Sequence, residues 1–526
     1  MTAQLRVRRS IEDLQYDYHH DKPKPLEDLM RAWRGIKALP PDDDNSFFKI
    51  GGYHGEPFRG AGWGNASYWG GYCNHGNVLF PTWHRAYLVR LEEALRSIPG
   101  CEDVTLPFWD ETSQSSKDNG VPWALTDETF PLDGAPIPNP LRSFVFNKTI
   151  KDHISGDDPD YSKPNGYETV RYPLSGLVGP SDIEKTKIHN AQYPDYKTNV
   201  GLMNANIVDW LTSYIEVDQG GKKIRYDTHV AKKYTDCLDA PNYTVFSNTS
   251  SAAEWNDNLP EGKPPVVPLE SPHNSIHLAV GGCDVPNYDR SPIAGANGDM
   301  GENDTAGLDP IFFFHHCFID RVFWLWQKRH GATDHLEIIP QYPGTNSVDN
   351  QGPTPGVAPN SWLTLDSPLD PFHKADGKPY TSRDCINIET QLGYKYDHGS
   401  LEDQPPLLAA AHAPEPVHRV HVAGINRSAI RGSFLVSAFA VIGGKKQNLG
   451  TEAVLSRWHV DGCANCQTHL EVRAAIPIPT LAAEALQSDH VGVEVRTRDG
   501  VLNQRGMLAF AAGAPTTKKA FRFEVR

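Results

Sequence analysis

No stretch of this 526-residue chain approaches the ~18 to 20 consecutive apolar residues that a membrane-spanning helix needs. Its start, MTAQLRVRRSIEDLQYDYHH, also lacks the apolar core of a secretory signal. Together these absences set the expectation of a soluble, cytoplasmic protein with no membrane partner. Basic charge is short as well: 50 Lys and Arg against 65 Asp and Glu leave a net charge of −15. That excludes the dense cationic surface nucleic acid requires. The deficit is uneven, because residues 397 to 526 carry 14 Lys and Arg against 12 Asp and Glu, which leaves −17 on the first 396. Cysteine is sparse and scattered, at Cys73, Cys101, Cys237, Cys283, Cys317, Cys385, Cys463 and Cys466. Without a secretory signal these read as buried thiols. Only Cys73, two before His75, and the CANC pair Cys463 and Cys466 stand out.

What is present is ordinary globular material, 39% hydrophobic and 22% charged, in a chain long enough for two domains. LDPIFFFHHCFIDRVFWLWQKRHG predicts a buried helix, with Asp309 placed to cap it, Pro310 at its first position and Gly331 just past its end. FPTWHRAYLVRLEEALRSIPG predicts a second helix, with Leu88, Leu91 and Leu95 on one face, and SPHNSIHLAV a third. Long Gly-, Pro-, Asn- and Asp-rich loops lie between them. After residue 396 the pattern changes. Residues 397–417 are Pro- and Ala-rich like a linker, and HRVHVAG, GSFLVSAFAVI, THLEVRAAIPI, HVGVEVRT and KAFRFEVR alternate as short strands do. The expected fold is a mainly α domain over 1–396, a linker over 397–417 and an all-β, sandwich-like domain over 418–526.

The histidines of the first part fall in three groups: His54; His75 with His84; and His273, His277 and His316. On a helix His273 and His277, at i and i+4, leave the same face as a two-ligand clamp, although two surface histidines would show the same spacing. His316 lies within the most apolar helix, where an imidazole needs a partner. Asp320, one turn on, is placed to hold a ring nitrogen as the carboxylate behind a metal-binding histidine does. Imidazole-rich sites suit copper or zinc rather than magnesium or calcium. HNSIH lacks the acidic base of an HExxH zinc hydrolase, and Glu270 alone stands three residues before one of these histidines where an iron–carboxylate bundle uses two Glu-x-x-His motifs, so copper is favoured.

Cys-x-His with His54 and His84, followed by HNxxH and DPxFxxHHxxxDR, resembles the two copper-binding regions of type 3 copper proteins, the tyrosinases, catechol oxidases and haemocyanins. The resemblance covers residues 1 to 396. It implies two copper ions, one on His54, His75 and His84 and the other on His273, His277 and His316, with dioxygen as co-substrate. It also implies a thioether between Cys73 and His75, and an outer position for His315. Phe80 and Phe312, each four residues before a ligand, would cover the coppers from the preceding helical turn. In monophenol-active relatives a Glu and an Asn hold a water near the copper, and Glu270 and Asn274 match them. Asn303 falls where a small apolar residue commonly stands over the second copper, as a substrate gate.

Tyr394 and Tyr396 match the Tyr-x-Tyr signature that closes the family's catalytic domain, with Arg8 or Arg9 to stack on it. The β-rich end resembles the shielding domain of latent polyphenol oxidases, which implies an activating protease at the linker, a plugging side chain such as Phe434 or Trp458, and copper loading through Cys463 and Cys466 from a copper donor. The implied activity is oxidation of small phenols, monophenols as well as o-diphenols. Catechol or o-aminophenol oxidation alone, or oxygen carriage, remain as alternatives on the same fold.

Overall fold

The computed structural model describes residues 5–55, 71–151, 162–180, 182–219, 221–288, 290, 297–347, 357–358, 361–402, 418–442, 444–457, 470–478, 491–503 and 521–525. The helix Ile311–Arg329 lies at the centre, buried without a break from Ile311 to Gln327. It starts one residue later than the sequence suggests. Pro310 takes the cap position, while Asp309 accepts the Ile311 N–H at 3.2 Å and is gripped by Arg171 at 2.7 and 2.9 Å. Gly331 follows the helix with φ +64°, a conformation glycine adopts without a Cβ penalty.

The helix Phe80–Arg96 packs against this central rod, and Leu88, Leu91 and Leu95 are fully buried. The helix Glu270–Gly281 is buried along its whole length. Two glycines allow the backbone to close over these elements. A Cβ on Gly281 would lie 1.8 Å from the Gly301 nitrogen, and one on Gly55 1.8 Å from the Asn303 carbonyl oxygen. Both sites therefore bring the 300–303 segment against helix ends that carry histidines. At the amino terminus, strand Arg6–Arg8 pairs in parallel with Tyr394–Tyr396. Arg8 stacks 3.7 Å over the Tyr394 ring and bonds Glu92, whereas Arg9 turns to Asp17.

From residue 418 the described chain forms two antiparallel sheets. One has the order Glu471–Ile478, His418–Asn426, Arg522–Val525; the other runs Lys445–Val454, Phe434–Ile442, Val491–Thr497, Gly500–Asn503. Val422, Val436, Ile476 and Val493 share one core, which also takes in Ile215 and Val217 from the hairpin Tyr214–Asp227. Lys445–Val454 escapes pattern reading because its inward positions include Asn448, Gly450 and Thr451. Phe434 is fully buried in this core, so it cannot plug a site elsewhere, contrary to expectation. Among the described residues no helix is long and apolar enough to cross a membrane.

Candidate metal centre

Three elements bring the first histidine trio together. His54 ends the helix Phe47–Gly55, His75 lies on the irregular segment before Phe80, and His84 sits one turn into the Phe80–Arg96 helix. Their ring centroids are 5.2 to 5.6 Å apart. His54 Nδ1 faces the Asn303 carbonyl at 3.3 Å and His84 Nδ1 the Phe80 carbonyl at 2.8 Å. A ring nitrogen that donates to a carbonyl fixes the tautomer and leaves the other lone pair free. The Nε2 atoms of His54, His75 and His84 are all buried without a hydrogen-bond partner.

The second trio comes from two helices. His273 Nδ1 meets Asn274 Oδ1 at 2.9 Å and His277 Nδ1 meets the Met300 carbonyl at 2.8 Å. Their Nε2 atoms lie 3.2 and 3.3 Å from His316 Nε2. The two trios face each other, with His84 stacked on His316 at 4.4 Å and His75 5.5 Å from His273. Burial holds all six imidazoles neutral: it pushes His84 down to about 3, and the others well below the usual histidine range, with neighbouring imidazoles adding to the effect. Buried, neutral nitrogens that converge with no partner in the first trio and with only one another in the second fit a pair of metal ions, and an all-imidazole donor set suits copper.

Phe312 stacks on His316 at 4.0 Å and meets His54 at 4.7 Å; Phe80 meets His84 and His273 at 4.8 and 4.9 Å. Both phenylalanines therefore wall the centre across the two trios. His315 is nearer to it than an outer position suggests. Its Nε2 has no hydrogen-bond partner, its ring falls within the His273, His277 and His316 cluster, and its Nδ1 is held at 2.6 Å by Glu111. Glu111, bonded in turn by Tyr234, comes from a distant loop and carries no local sequence signal.

Two expectations are corrected. Asp320 does not hold a histidine: its carboxylate takes Arg85 at 2.5 Å and the hydroxyls of Tyr394 and Tyr396 at 2.6 Å, because its side chain leaves the helix toward the amino-terminal strand. His316 Nδ1 is left without a partner. Asn303 does not stand over the second trio. Its carbonyl serves His54, and its amide nitrogen reaches Cys73 Sγ at 3.5 Å.

Cys73 is buried, and its sulfur and a His75 ring nitrogen lie within 4.8 Å of each other. Arg457, from the strand-rich end, also approaches this corner. It donates to the Gly55 carbonyl at 2.9 Å, pairs with Asp304 at 3.2 Å and reaches Cys73 Sγ at 3.7 Å. Trp458, Cys463 and Cys466 lie outside the described residues.

Glu270 is buried, accepting Gly76 N–H at 2.8 Å through one oxygen and Thr249 N–H and O–H at 2.8 and 2.9 Å through the other. Burial raises its pKa, and these donors restrain the rise. Glu270, Asn274, His75 and Gly76 line a cavity of about 570 Å³ whose other walls include the strands at 449–455 and 471–478.

Residues 44–329 match the family pattern described as the common central domain of tyrosinase. The chain is 50% identical to a tyrosinase of a Hahella species over 527 residues, covering 94% of this chain and 92% of that protein. It is 46% identical to a tyrosinase of Aspergillus oryzae, with 95% and 94% covered. A solved tyrosinase from Burkholderia thailandensis at low pH superposes with a TM-score of 0.83 at 50% identity, covering 99% of this chain and 100% of that one.

Proposed function

Because this chain belongs to the tyrosinase family, and so is a type 3 copper oxidoreductase with two coppers and dioxygen as co-substrate, we propose that it hydroxylates monophenols to o-diphenols and oxidises these to o-quinones. The observation that carries the monophenol step is that Glu270 and Asn274 line the same cavity as His75. A carboxylate offers about four lone-pair sites; the Glu270 carboxylate uses three of them on Gly76 and Thr249. Asn274 spends its oxygen on His273, and its amide nitrogen is left to donate. A water that accepts from Asn274 and donates to Glu270 keeps a lone pair for the phenol proton. Burial, by raising Glu270, makes it the better acceptor. His54, His75, His84, His273, His277 and His316 would hold the copper pair, which when bound would supply dioxygen binding and electron transfer. The oxygen-carrier reading is not favoured, since the relatives over nearly the whole chain are tyrosinases.

The proposal includes a boundary: residues 1–396 carry the chemistry, and residues 418–526 cover it until the segment 397–417 is cut. Contacts across the two parts support this. Arg457 sits against Gly55 and Asp304, Ser456 accepts the Asn303 N–H at 3.3 Å, and Lys233 pairs with Glu452 at 2.8 Å. It also includes the Cys73–His75 thioether, with copper loaded through Cys463 and Cys466. A His75 peptide should be two hydrogens lighter than its sequence mass; an alkylatable Cys73 thiol would sink the cross-link.

The deciding experiment is oxygen uptake by copper-loaded protein, intact and cut within 403–417, with 4-ethylphenol and with catechol. Uptake with both, faster after the cut, supports the reading. Uptake from catechol alone rejects the monophenol step, and equal rates before and after the cut reject the cover.

A further inference from the structure

The cavity between the two parts has apolar walls, among them Val266, Val267, Leu449, Leu455 and Ile476, and charged residues at several points. Those charges are mostly neutralised: Lys233 by Glu452, Lys232 by Asp236, and Arg473 by Asp257. Arg427 is the exception. It stands on the turn after strand His418–Asn426, is 8% exposed and lines the same cavity as His75, Glu270 and Asn274. Its guanidinium donates to Ser456 Oγ at 3.2 Å; Nε is buried with no partner, and the group makes no ion pair among the described residues. The Glu270 carboxylate lies within electrostatic reach but beyond contact, already engaged by Gly76 and Thr249. A buried arginine with no counter-charge in contact is costly, and its planar donor fork matches a carboxylate.

We propose that Arg427 is the anion anchor of this cavity and that the intact chain selects small aromatic carboxylates, with the carboxylate on the Arg427 guanidinium and the ring along the apolar wall toward His75. The inference rests on the phenol-oxidase reading and deepens it. In the uncut chain the preferred ligands are phenols carrying an acid on a short side chain, and the residue that selects them belongs to the strand-rich part rather than to the metal-binding part.

The test is isothermal titration of the copper-loaded, uncut chain with 3-phenylpropionate and with its uncharged amide, neither of which can be oxidised as a phenol. The acid should bind about tenfold or more tightly than the amide, as a charge-assisted contact implies, and Arg427→Gln should abolish that preference. Arg427→Lys, which keeps the charge but loses the fork, should reduce it severalfold, and this variant decides the matter should the Gln variant fail to fold. Equal binding of acid and amide by the unaltered chain would overturn the proposal. So would a preference that persists in Arg427→Gln, as direct ligation of the carboxylate by copper would give, or one undiminished in Arg427→Lys. A chain that keeps the Arg427-dependent preference yet oxidises no phenol even after the 403–417 cut fails the phenol-oxidase reading alone. One that oxidises phenols without the preference fails this inference alone.

Discussion

The two histidine trios differ in how they are built. His273, His277 and His316 come from two fully buried helices, and their Nε2 atoms already lie within 3.3 Å of His316. His54, His75 and His84 come from a helix end, an irregular segment and a helix start, with ring centroids 5.2 to 5.6 Å apart against 4.5 to 5.5 Å in the second trio. Residues from outside the helical core press on the first corner, Arg457 at Gly55 and Asn303 at Cys73. The second trio is thus organised by helix geometry, and the first by long-range contacts, one of which comes from the strand-rich end.

The largest effect should separate metal content from fold. His277→Ala should remove the second copper and abolish turnover while the first trio still binds one copper per chain; His54→Ala should do the reverse. Metal analysis with an activity assay reads both, and full occupancy or retained turnover in either variant would break the division into trios. Next comes Glu270→Gln, which should lower monophenol oxidation by about 10²-fold and spare catechol. Equal losses on the two substrates would reject a proton-handling role for Glu270 and leave it as a brace between Gly76 and Thr249.

A smaller loss is expected on the first trio alone from Arg457→Ala. Removing one partner from a buried pair costs about 3 kcal/mol, visible in urea unfolding. Because Arg457 touches Gly55 and Cys73, a chelator should then strip the first copper sooner than the second. Equal release of both would show that the strand-rich part does not organise the first site.

This asymmetry also explains what the sequence disclosed. HNSIH and FFFHHCFIDR are local patterns on helices, so spacing put His273 and His277 on one helical face and His316 inside the apolar helix, and the resemblance joined them into one trio. The CxH segment and the distant His54 could be grouped only through family resemblance. Residues supplied by tertiary contact left no trace in spacing: Glu111 on His315, Met300 and Asn303 through their carbonyls, Arg427 and Arg457 from the far end of the chain. Asp320 misled for the converse reason. Its one-turn offset from His316 suggests a hydrogen bond, but two tyrosines and Arg85 compete for the same carboxylate and hold it.

The 300–303 segment serves both trios, Met300 through its carbonyl to His277 and Asn303 through its carbonyl to His54. Between them Glu302 is fully buried, with neither carboxylate oxygen hydrogen-bonded. Burial, aided by Asp304 and opposed by Lys163 and Arg498, raises its pKa to about 8. The folded chain therefore holds a proton that the unfolded chain releases near the ordinary glutamate value. Glu302's contribution to stability is complete below that value and is lost as the pH rises toward 8. Glu302→Gln should remove this slope, gaining up to a few kcal/mol at pH 8 relative to the unaltered chain and nearly nothing at pH 4. Thermal unfolding across pH 4 to 9 measures it. A gain at pH 8 with both coppers retained would show that the shared segment bears the cost of its buried acid equally for the two sites, whereas loss of the His54 copper alone would show that the segment's conformation matters more to the trio built from long-range contacts.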